Sequence, residues 1–367
     1  MSKLFSPLTI GGIEVSNRVT VSPMCQYSAH DGMTSDWHLQ HLLSLALSGA
    51  GLVTFEATHV APEGRITPGC AGLWSDESEA ALKRIVDACR TYAPAKLGVQ
   101  LAHAGRKGSA RRPWEGGSSL SPAEGAWQTV APSAIPLAPG WHTPSGLDAR
   151  GMAMVRDAFV ASAKRALRIG FDLIEMHSAH GYLLNEFLSP LANHRIDQYG
   201  GSLENRMRFP LEVFEAVRAV WPRDRALGAR IPGSDYVDGA WAVEDAIAYS
   251  RALQSRGCDF VTVSGGGVVL DAKVPVGPGY QVPFARAVKA ATGMITGAVG
   301  LITQARQAEA ILVEGRADYV AIARAFLFNP RWPWHAALEL GDEIRFAPQY
   351  ARCHPSAWPP AATLIGA

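Results

Sequence analysis

Eight short apolar segments alternate with segments of helical pattern along this chain. The apolar segments carry Val, Ile, Thr or Phe, and most lack polar/apolar alternation, which is typical of strands buried on both faces of a parallel sheet. They are residues 19–23, 51–57, 96–103, 172–177, 226–232, 259–265, 293–300 and 318–324. The helical pattern covers residues 36–48, 76–92, 151–169, 204–221, 242–256, 281–291, 303–314 and 332–340.

The junctions between these segments repeat one unit, in which a helix ends at glycine and the next strand follows after a short connection. RIGFDLIEM, SRGCDFVTV and EGRADYVAI all show this unit, with the glycine at the usual helix C-cap position. An open doubly wound sheet would often have a GxGxxG turn after its first strand. This chain has no such turn. We therefore predict an α/β protein over residues 1–367, folded as a single (β/α)8 TIM barrel.

Two stretches interrupt or extend this pattern. Residues 103–150, after the third strand, are rich in Pro, Gly and Ser. A connection of that length inside a compact domain is usually a lid or a binding loop, so we expect a lid-like insertion. Residues 341–367 have little helical or strand pattern and are expected to form an extended C-terminal tail.

Charge and cysteine content exclude several classes of function. Lys and Arg number 34 against 33 Asp and Glu, with no basic stripe for nucleic acid and no basic amphipathic segment for a membrane surface. We also see no signal peptide and no apolar run long enough to span a membrane. The 5 widely spaced cysteines indicate free thiols rather than a disulfide framework or an iron–sulfur cluster. We expect a cytoplasmic protein.

In a barrel of this kind the loops after the strands form the functional face. The turn GAVGLIT (297–303) follows strand seven and Arg324 follows strand eight, the pair of loops that commonly grips phosphate. Backbone N–H groups around Gly297 and Gly300 could hold a phosphate, with Arg324 adding a bidentate contact. Alternatively, these glycines only permit tight turns.

The end of strand four raises a second question. His177, His180 and Tyr182 follow each other at the end of the apolar run FDLIEM. The histidines could be hydrogen-bonded structural residues, or could bind a metal with a further ligand such as His103. They could also donate to one developing oxyanion while Tyr182 supplies a proton. The last combination suits reduction at a carbon conjugated to a carbonyl.

Five segments of the chain carry a specific pattern. They are SPMCQYS (22–28), EATHVAPEGR (56–65), QLAHAGRKGS (100–109), the stretch from HSAHGYLL to SLENRMRF (177–209) and GAVGLIT. Together they resemble the Old Yellow Enzyme family of FMN-dependent ene-reductases, and the similarity runs from about residue 3 to residue 353. Cys25 and APQYAR (347–352) are similar to the bacterial thermophilic-like branch, which includes xenobiotic reductases.

The resemblance implies FMN bound noncovalently across the barrel mouth, with NADPH or NADH as hydride donor. The matching positions that line the flavin are Ser22, Pro23, Met24 and Cys25. Ala57 and Gln100 match contacts to the pyrimidine edge, and Arg230 matches the cation near N1 and O2. A fixed arginine there would favour the negative charge that develops on reduction.

On the substrate side, the resemblance implies that His177 and His180 bind the carbonyl oxygen of an α,β-unsaturated substrate. Tyr182 matches the proton donor to Cα, Tyr27 a second residue near the carbonyl, and Cys25 a residue that tunes the flavin potential. The implied activity is NAD(P)H-dependent reduction of the C=C bond of enones, with nitro compounds as further candidate substrates. No metal is implied. The alternative is a metal-dependent barrel hydrolase using His177 and His180.

The chain departs from the family pattern at two places. Ala323 precedes Arg324 where relatives commonly have glycine, which adds a methyl group beside the expected phosphate. After APQYAR the chain continues as CHPSAWPP, unlike the glycine and tryptophan of relatives. In the branch it resembles, an arginine that matches Arg352 reaches the neighbouring subunit's site, so we expect a homodimer or a dimer of dimers.

Overall fold

The computed structural model describes residues 1–364 as a closed barrel of eight parallel strands surrounded by helices. The barrel strands, in chain order β1 to β8, are Val19–Val21, Leu52–His59, Lys96–Ala102, Leu173–His177, Ala226–Pro232, Phe260–Ser264, Ile295–Ala298 and Tyr319–Ile322. They pair in chain order, and β8 closes the ring against β1 with Val320 opposite Val19. The predicted (β/α)8 fold and its eight strands are confirmed.

The helices follow the predicted alternation and lie outside the barrel. They are α1 Asp36–Ala46, α2 Asp76–Tyr92, α3 Ala149–Ile169, α4 Leu183–Leu188, α5 Leu203–Val220, α6 Val243–Gln254, α7 Val282–Thr292, α8 Ala305–Val313, α9 Arg324–Phe328 and α10 Trp332–Leu340. The short helices α4 and α9 were not predicted, since one or two turns are too short to show a helical period. No helix within residues 1–364 is long and apolar enough to cross a membrane.

The predicted glycine junctions recur where α3, α6 and α8 give way to the next strand. Gly170, Gly257 and Gly315 all have positive φ angles, of 99°, 78° and 67°, which a residue without Cβ adopts without strain. The Gly170 N–H donates to carbonyls in the last turn of α3, as in a helix C-cap. Each glycine thus lets the chain reverse directly into the next strand.

An aspartate just before β4, β6 and β8 fastens each of these strands to the preceding one. The carboxylates of Asp172, Asp259 and Asp318 accept backbone N–H groups of Leu97, Leu227 and Thr296, at 2.8, 2.8 and 2.9 Å. Each also pairs with a cation from an outer helix, and these pairs are Arg90–Asp172, Arg218–Asp259 and Lys289–Asp318. The aspartates therefore join barrel and helices at the end opposite the functional face.

The insertion contains three short 3-10 turns and a two-residue parallel pairing of Val130–Ala131 with Ser145–Gly146. The side chain of Trp114 packs edge-on against Tyr27, with ring centroids 5.9 Å apart. The Trp127 indole donates to the carbonyl of Glu63. The insertion therefore lies against the loops that follow β1 and β2.

A hairpin of Leu8–Ile10 and Ile13–Val15 precedes the barrel. It was not predicted because its strands are only three residues long.

The tail packs onto α10 of its own chain. Phe346 stacks on Trp334 with centroids 3.9 Å apart, and Arg331 lies over the rings of both Trp334 and Tyr350 at 4.8 Å. A 3-10 segment, Pro348–Cys353, carries Arg352 at its exposed surface. Aromatic contacts thus hold a segment that shows little secondary-structure pattern in the sequence.

We predict that Gly228→Ala destabilises the barrel. A Cβ at this β5 position would lie 2.4 Å from both the ring and the backbone oxygen of Phe260, and the backbone of a neighbouring strand cannot move aside. Overpacking of this kind typically costs about 1–3 kcal/mol of unfolding free energy. Denaturant unfolding should show the loss, whereas Gly277→Ala, where an added Cβ meets nothing within 4 Å, should leave stability unchanged. Equal stability of the two variants would contradict the packing argument.

Candidate active site

A cavity of about 440 Å³ opens at the C-terminal ends of the barrel strands, and its lining comes from β1 and β4 to β8 and the loops that follow them. Its lining includes seven of the predicted site residues, which are Ser22, His180, Tyr182, Arg230, Gly300, Ala323 and Arg324. Backbone of the loops after β6 and β7 forms much of the remaining wall. The structure therefore brings residues from opposite ends of the sequence to one mouth, as expected for strands that end on the same face.

Arg230 is a buried cation at this cavity. It belongs to β5, is 7% exposed, and donates from Nη1 to Ser22 Oγ at 2.9 Å. Its Nε atom is buried and has no hydrogen-bond partner in the described residues, and none of their carboxylates lies within 4 Å of the guanidinium. A buried charge normally has a partner. Arg230 is therefore suited to an anionic or electron-rich ligand in the cavity.

The turn after β7 offers backbone donors to the same cavity. Gly300 has φ 106° and a Cβ there would lie 3.0 Å from the backbone nitrogen of Gln281. Gln307 fixes this turn by accepting from the Thr303 N–H and donating to the Leu301 carbonyl. Within residues 1–364 no acceptor bonds the N–H groups of Gly300 and Leu301. With Arg324 exposed nearby, these donors fit a phosphate.

Ala323 and Gly297 depart from the expected phosphate geometry in different ways. Ala323 lines the cavity at the start of α9, so its methyl group adds to the wall there. Gly297 does not line the cavity. It lies within β7, where a Cβ would be 2.2 Å from the ring of Tyr319. Glycine is therefore needed at position 297 for packing, because the absence of a side chain makes room for Tyr319.

The residues predicted at the flavin edge come from β1 to β3. Pro23, Met24 and Cys25 are partly buried just after β1. Ala57 and Gln100 are register partners, next to a bulge in β2 that leaves Glu56 unpaired in the ladder. The bulge redirects Glu56, as bulges commonly do, and its carboxylate accepts the Gln26 N–H at 3.0 Å. Glu56 therefore holds the loop that carries Met24 and Cys25.

His177 and His180 form a pair of uncharged donors. Their ring centroids are 5.0 Å apart, and burial together with the charge of Arg230 lowers the pKa of each well below 6.5. Nδ1 of His177 accepts the Ala179 N–H at 3.3 Å, so Nε2 carries the proton. Nε2 of His180 contacts Ser264 Oγ at 2.7 Å, and its backbone has φ 62°. This left-handed conformation turns His180 back towards the β6 end.

Tyr182 lies against His177 with ring centroids 4.9 Å apart. Together with Tyr27 and Cys25 it packs on a small apolar cluster of Ile66, Cys70 and Ala104. Burial raises the pKa of both phenols and of the Cys25 thiol above their usual values. All three groups therefore stay protonated at neutral pH, as a proton donor requires.

Lys107 is a site residue to which the sequence analysis gave no role. Its ammonium donates to the carbonyls of His180 and Gly267, at 2.8 and 2.9 Å, and lies 5.1 Å from the centre of the Tyr182 ring. Burial lowers the pKa of Lys107 to about 8. The motif QLAHAGRKGS contains Lys107, but only the tertiary fold shows that it fastens the loops after β4 and β6.

Arg352 does not line this cavity in its own chain. Other predicted residues lie outside its lining as well, and these are Pro23, Met24, Cys25, Tyr27, Ala57, Gln100 and His177. Nor do the histidines assemble the centre that a hydrolase would need: within residues 1–364 no group of three or more His, Cys, Asp or Glu side chains is arranged to hold a metal. The third ring considered, His103, uses Nδ1 to accept the Gly105 N–H.

Comparison with known proteins identifies the family. A model of the NADH:flavin oxidoreductase / NADH oxidase family matches residues 3–343. NADPH dehydrogenase of Geobacillus sp. (strain WCH70) is 46% identical over 351 residues, which cover 95% of this chain and 98% of that protein. NADPH dehydrogenase of Halalkalibacterium halodurans is 43% identical over 352 residues, covering 95% and 98%.

Among solved structures, morphinone reductase is similar with a TM-score of 0.77 and 29% identity, covering 97% of this chain and 92% of that one. A structure of morphinone reductase in complex with tetrahydroNAD gives a TM-score of 0.76 at 28% identity, covering 97% and 94%. These relatives replace the hydrolase alternative with an oxidoreductase that uses FMN and NAD(P)H. The chain belongs to the NADH:flavin oxidoreductase / NADH oxidase family, in which the Old Yellow Enzyme resemblance had placed it, and is an NADPH:flavin oxidoreductase.

Proposed function

We propose that this enzyme reduces the C=C bond of α,β-unsaturated carbonyl compounds, and of activated nitro compounds, at the cavity in the barrel mouth. One observation carries the proposal. The His177 ring lies 5.0 Å from that of His180 and 4.9 Å from that of Tyr182, measured between centroids. Two uncharged imidazoles and a protonated phenol are thus grouped near a buried guanidinium, Arg230, that has no anionic partner in the described residues. Such a site can polarise an oxygen and deliver a proton without needing a metal.

FMN, when bound, supplies two-electron chemistry, since its N5 can take a hydride from NADPH or NADH and pass one to a substrate. Arg230 and Ser22 would hold the electron-rich side of its ring, and the N–H groups of Gly300 and Leu301 with Arg324 would hold its phosphate. Ala57 and Gln100 would contact its pyrimidine edge, beside Pro23 and Met24. Cys25, whose thiol stays protonated, would tune its potential through polarity rather than charge.

On the substrate side, His177 and His180 would both donate to the carbonyl or nitro oxygen. Nε2 of His177 already carries a proton, and Nε2 of His180 can exchange its contact with Ser264 Oγ for one with the substrate. Neutral imidazoles stabilise the negative charge that develops on this oxygen without transferring a proton to it. Tyr27 would close the carbonyl side of the site.

Tyr182 would deliver the proton that completes the reaction. Hydride addition at Cβ leaves an electron pair on Cα and the oxygen, and the Tyr182 O–H then protonates Cα, so one NADPH and one proton are consumed per double bond. Lys107, 5.1 Å from the ring centre, favours the negative charge that the phenol acquires in this step. NADPH and substrate would use the same face in turn.

Location and assembly complete the proposal. The five described cysteines are all free thiols, which supports a reducing, cytoplasmic compartment. Arg352 is exposed and has no carboxylate within 4 Å in the described part of the chain. We assign it to the mouth of a neighbouring subunit's cavity, within a homodimer or a dimer of dimers. A two-fold contact of this kind would place one arginine in each mouth.

The purified protein should contain one FMN per chain. Anaerobic NADPH should bleach the flavin absorbance, and 2-cyclohexenone should restore it, because the activated alkene accepts hydride at Cβ. Cyclohexanone, which lacks the alkene, is the control and should not restore it; a nitroaromatic tests the wider substrate range. Stopped-flow absorbance measures both steps. Reoxidation by oxygen alone, with no response to cyclohexenone, would contradict the proposed substrate class.

Replacing Tyr182 by Phe should separate the two half-reactions. Flavin reduction by NADPH should change less than about threefold, whereas reoxidation by cyclohexenone should slow by about 10²-fold or more, the usual scale for losing a positioned proton donor. Tyr92→Phe, at an exposed position at the end of α2, serves as the matched control. If both half-reactions slowed equally, Tyr182 would have a structural role instead.

The role of Arg352 can be tested by comparison with a second exposed arginine of the tail. Arg352→Ala should raise the KM for cyclohexenone several-fold, because a cation is lost at the neighbouring mouth, while FMN content stays the same. Arg345→Ala, also exposed, should leave KM unchanged. Sedimentation of a variant that ends at residue 348 should show weakened association. A fully active monomer after this truncation would refute the shared site.

A further inference from the structure

A chain of four polar side chains lies inside the barrel, next to the cavity. Gln100, Glu175, Thr262 and Tyr319 belong to β3, β4, β6 and β8 and are between 1% and 4% exposed. The interior of such barrels is usually filled by Val, Ile and Leu. A polar chain of this extent therefore needs a reason beyond packing.

The hydrogen bonds of this chain all run towards Glu175. Gln100 Nε2 donates to its Oε1 at 2.7 Å, and Thr262 Oγ1 donates to its Oε2 at 2.5 Å. The Thr262 hydroxyl, having given its proton, accepts from the Tyr319 hydroxyl at 2.8 Å. Both carboxylate oxygens thus act as acceptors, which is the pattern of an ionised carboxylate.

Holding a carboxylate in this position is costly. Within residues 1–364 no Lys, Arg or His nitrogen lies within 4 Å of Glu175, so neutral donors alone compensate for the water it has lost. An apolar side chain of similar size would often stabilise such a site. Gly297 adds to the cost in stability, because Tyr319 fits only if this strand position has no side chain, and a glycine weakens a strand. A buried carboxylate that costs stability in this way calls for a functional explanation.

The bond to Glu175 has a direct consequence for Gln100. An amide can present either its oxygen or its NH₂ group in a given direction, but one N–H of Gln100 is committed to Glu175. The carboxylate cannot donate, so the amide cannot reverse without losing this bond. The amide oxygen therefore lies on the side away from Glu175. There it can accept a hydrogen bond from an N–H group such as that of a pyrimidine ring.

The charge of Glu175 acts on the same region. Arg230 is the register partner of both His177 on β4 and Thr262 on β6, and Glu175 lies two residues before His177 on the same face of β4. The carboxylate is therefore close to the part of the cavity that Arg230 serves. Reduction adds negative charge to a flavin, and a fixed anion nearby opposes that addition.

We propose that Glu175 is a positioning residue for the cofactor: through Gln100 it fixes the hydrogen-bond polarity at the pyrimidine edge, and through its charge it lowers the flavin midpoint potential. The inference rests on the proposed FMN site, in which Gln100 contacts that edge. Thr262 and Tyr319 hold the carboxylate from the other side.

The test is Glu175→Gln, which keeps the shape and removes the charge. Binding of FMN to the apoprotein, followed by fluorescence quenching, should weaken by about tenfold because the Gln100 amide is now free to reverse. The equilibrium constant for flavin reduction should rise about tenfold, which raises the midpoint potential of a two-electron couple by roughly 30 mV. Thr262→Val removes one donor to Glu175 but keeps the Gln100 bond, so it should change FMN affinity and potential less than Glu175→Gln does.

Two further variants separate the two effects. Glu175→Asp keeps the charge but withdraws the carboxylate from Gln100, so affinity should fall while the potential stays. In a Gln100→Leu background, Glu175→Gln should leave FMN affinity unchanged yet still raise the potential. Unchanged affinity and potential in Glu175→Gln would overturn the proposal, as would equal effects in Thr262→Val. Wild-type FMN binding and enone turnover, measured alongside, would reveal a failure of the proposed function separately.

Discussion

Closure of the parallel strands into a ring is the constraint on which the rest of the structure depends. Once β8 pairs with β1, the C-terminal ends of all the strands meet at one mouth. Asp172, Asp259 and Asp318 fasten this ring at the other end, each joining two neighbouring strands and a helix. The stabilising contacts and the reactive groups thus occupy opposite ends of the barrel, which lets the loops at the mouth vary without loss of the fold.

The electrostatics of the mouth suit a flavin and the unsaturated carbonyl substrate that we propose. Its cations are the buried guanidinium of Arg230, the exposed Arg324 and the ammonium of Lys107. By contrast, burial holds four groups in uncharged, proton-bearing forms, namely His177, His180, Tyr182 and Cys25. A desolvated site of this kind strengthens interactions with negative charge that appears during the reaction. Below the mouth, the carboxylate of Glu175 supplies the opposite charge inside the barrel.

Backbone conformation contributes to the site as much as side-chain identity. His180 and Tyr27 both have positive φ angles, of 62° and 50°, although neither is glycine. Strain of this kind persists only where surrounding contacts impose it. Lys107 provides such contacts for His180 by binding its carbonyl and that of Gly267, and Arg112 binds the carbonyl of Tyr27 at 3.0 Å. Two residues of the insertion after β3 therefore position rings that belong to the loops after β4 and β1.

The sequence by itself determined the (β/α)8 fold, the glycine junctions and the convergence of residues such as His180, Arg230 and Arg324, because apolar period and helix caps are local signals. The tertiary structure alone decided that Gly297 makes room for Tyr319, that Lys107 joins two loops, and that Glu175 anchors Gln100. These pairings link strands or loops far apart in sequence, and no local pattern encodes which side chains will meet inside a closed barrel. The packing of the tail on Trp334 was hidden for the same reason.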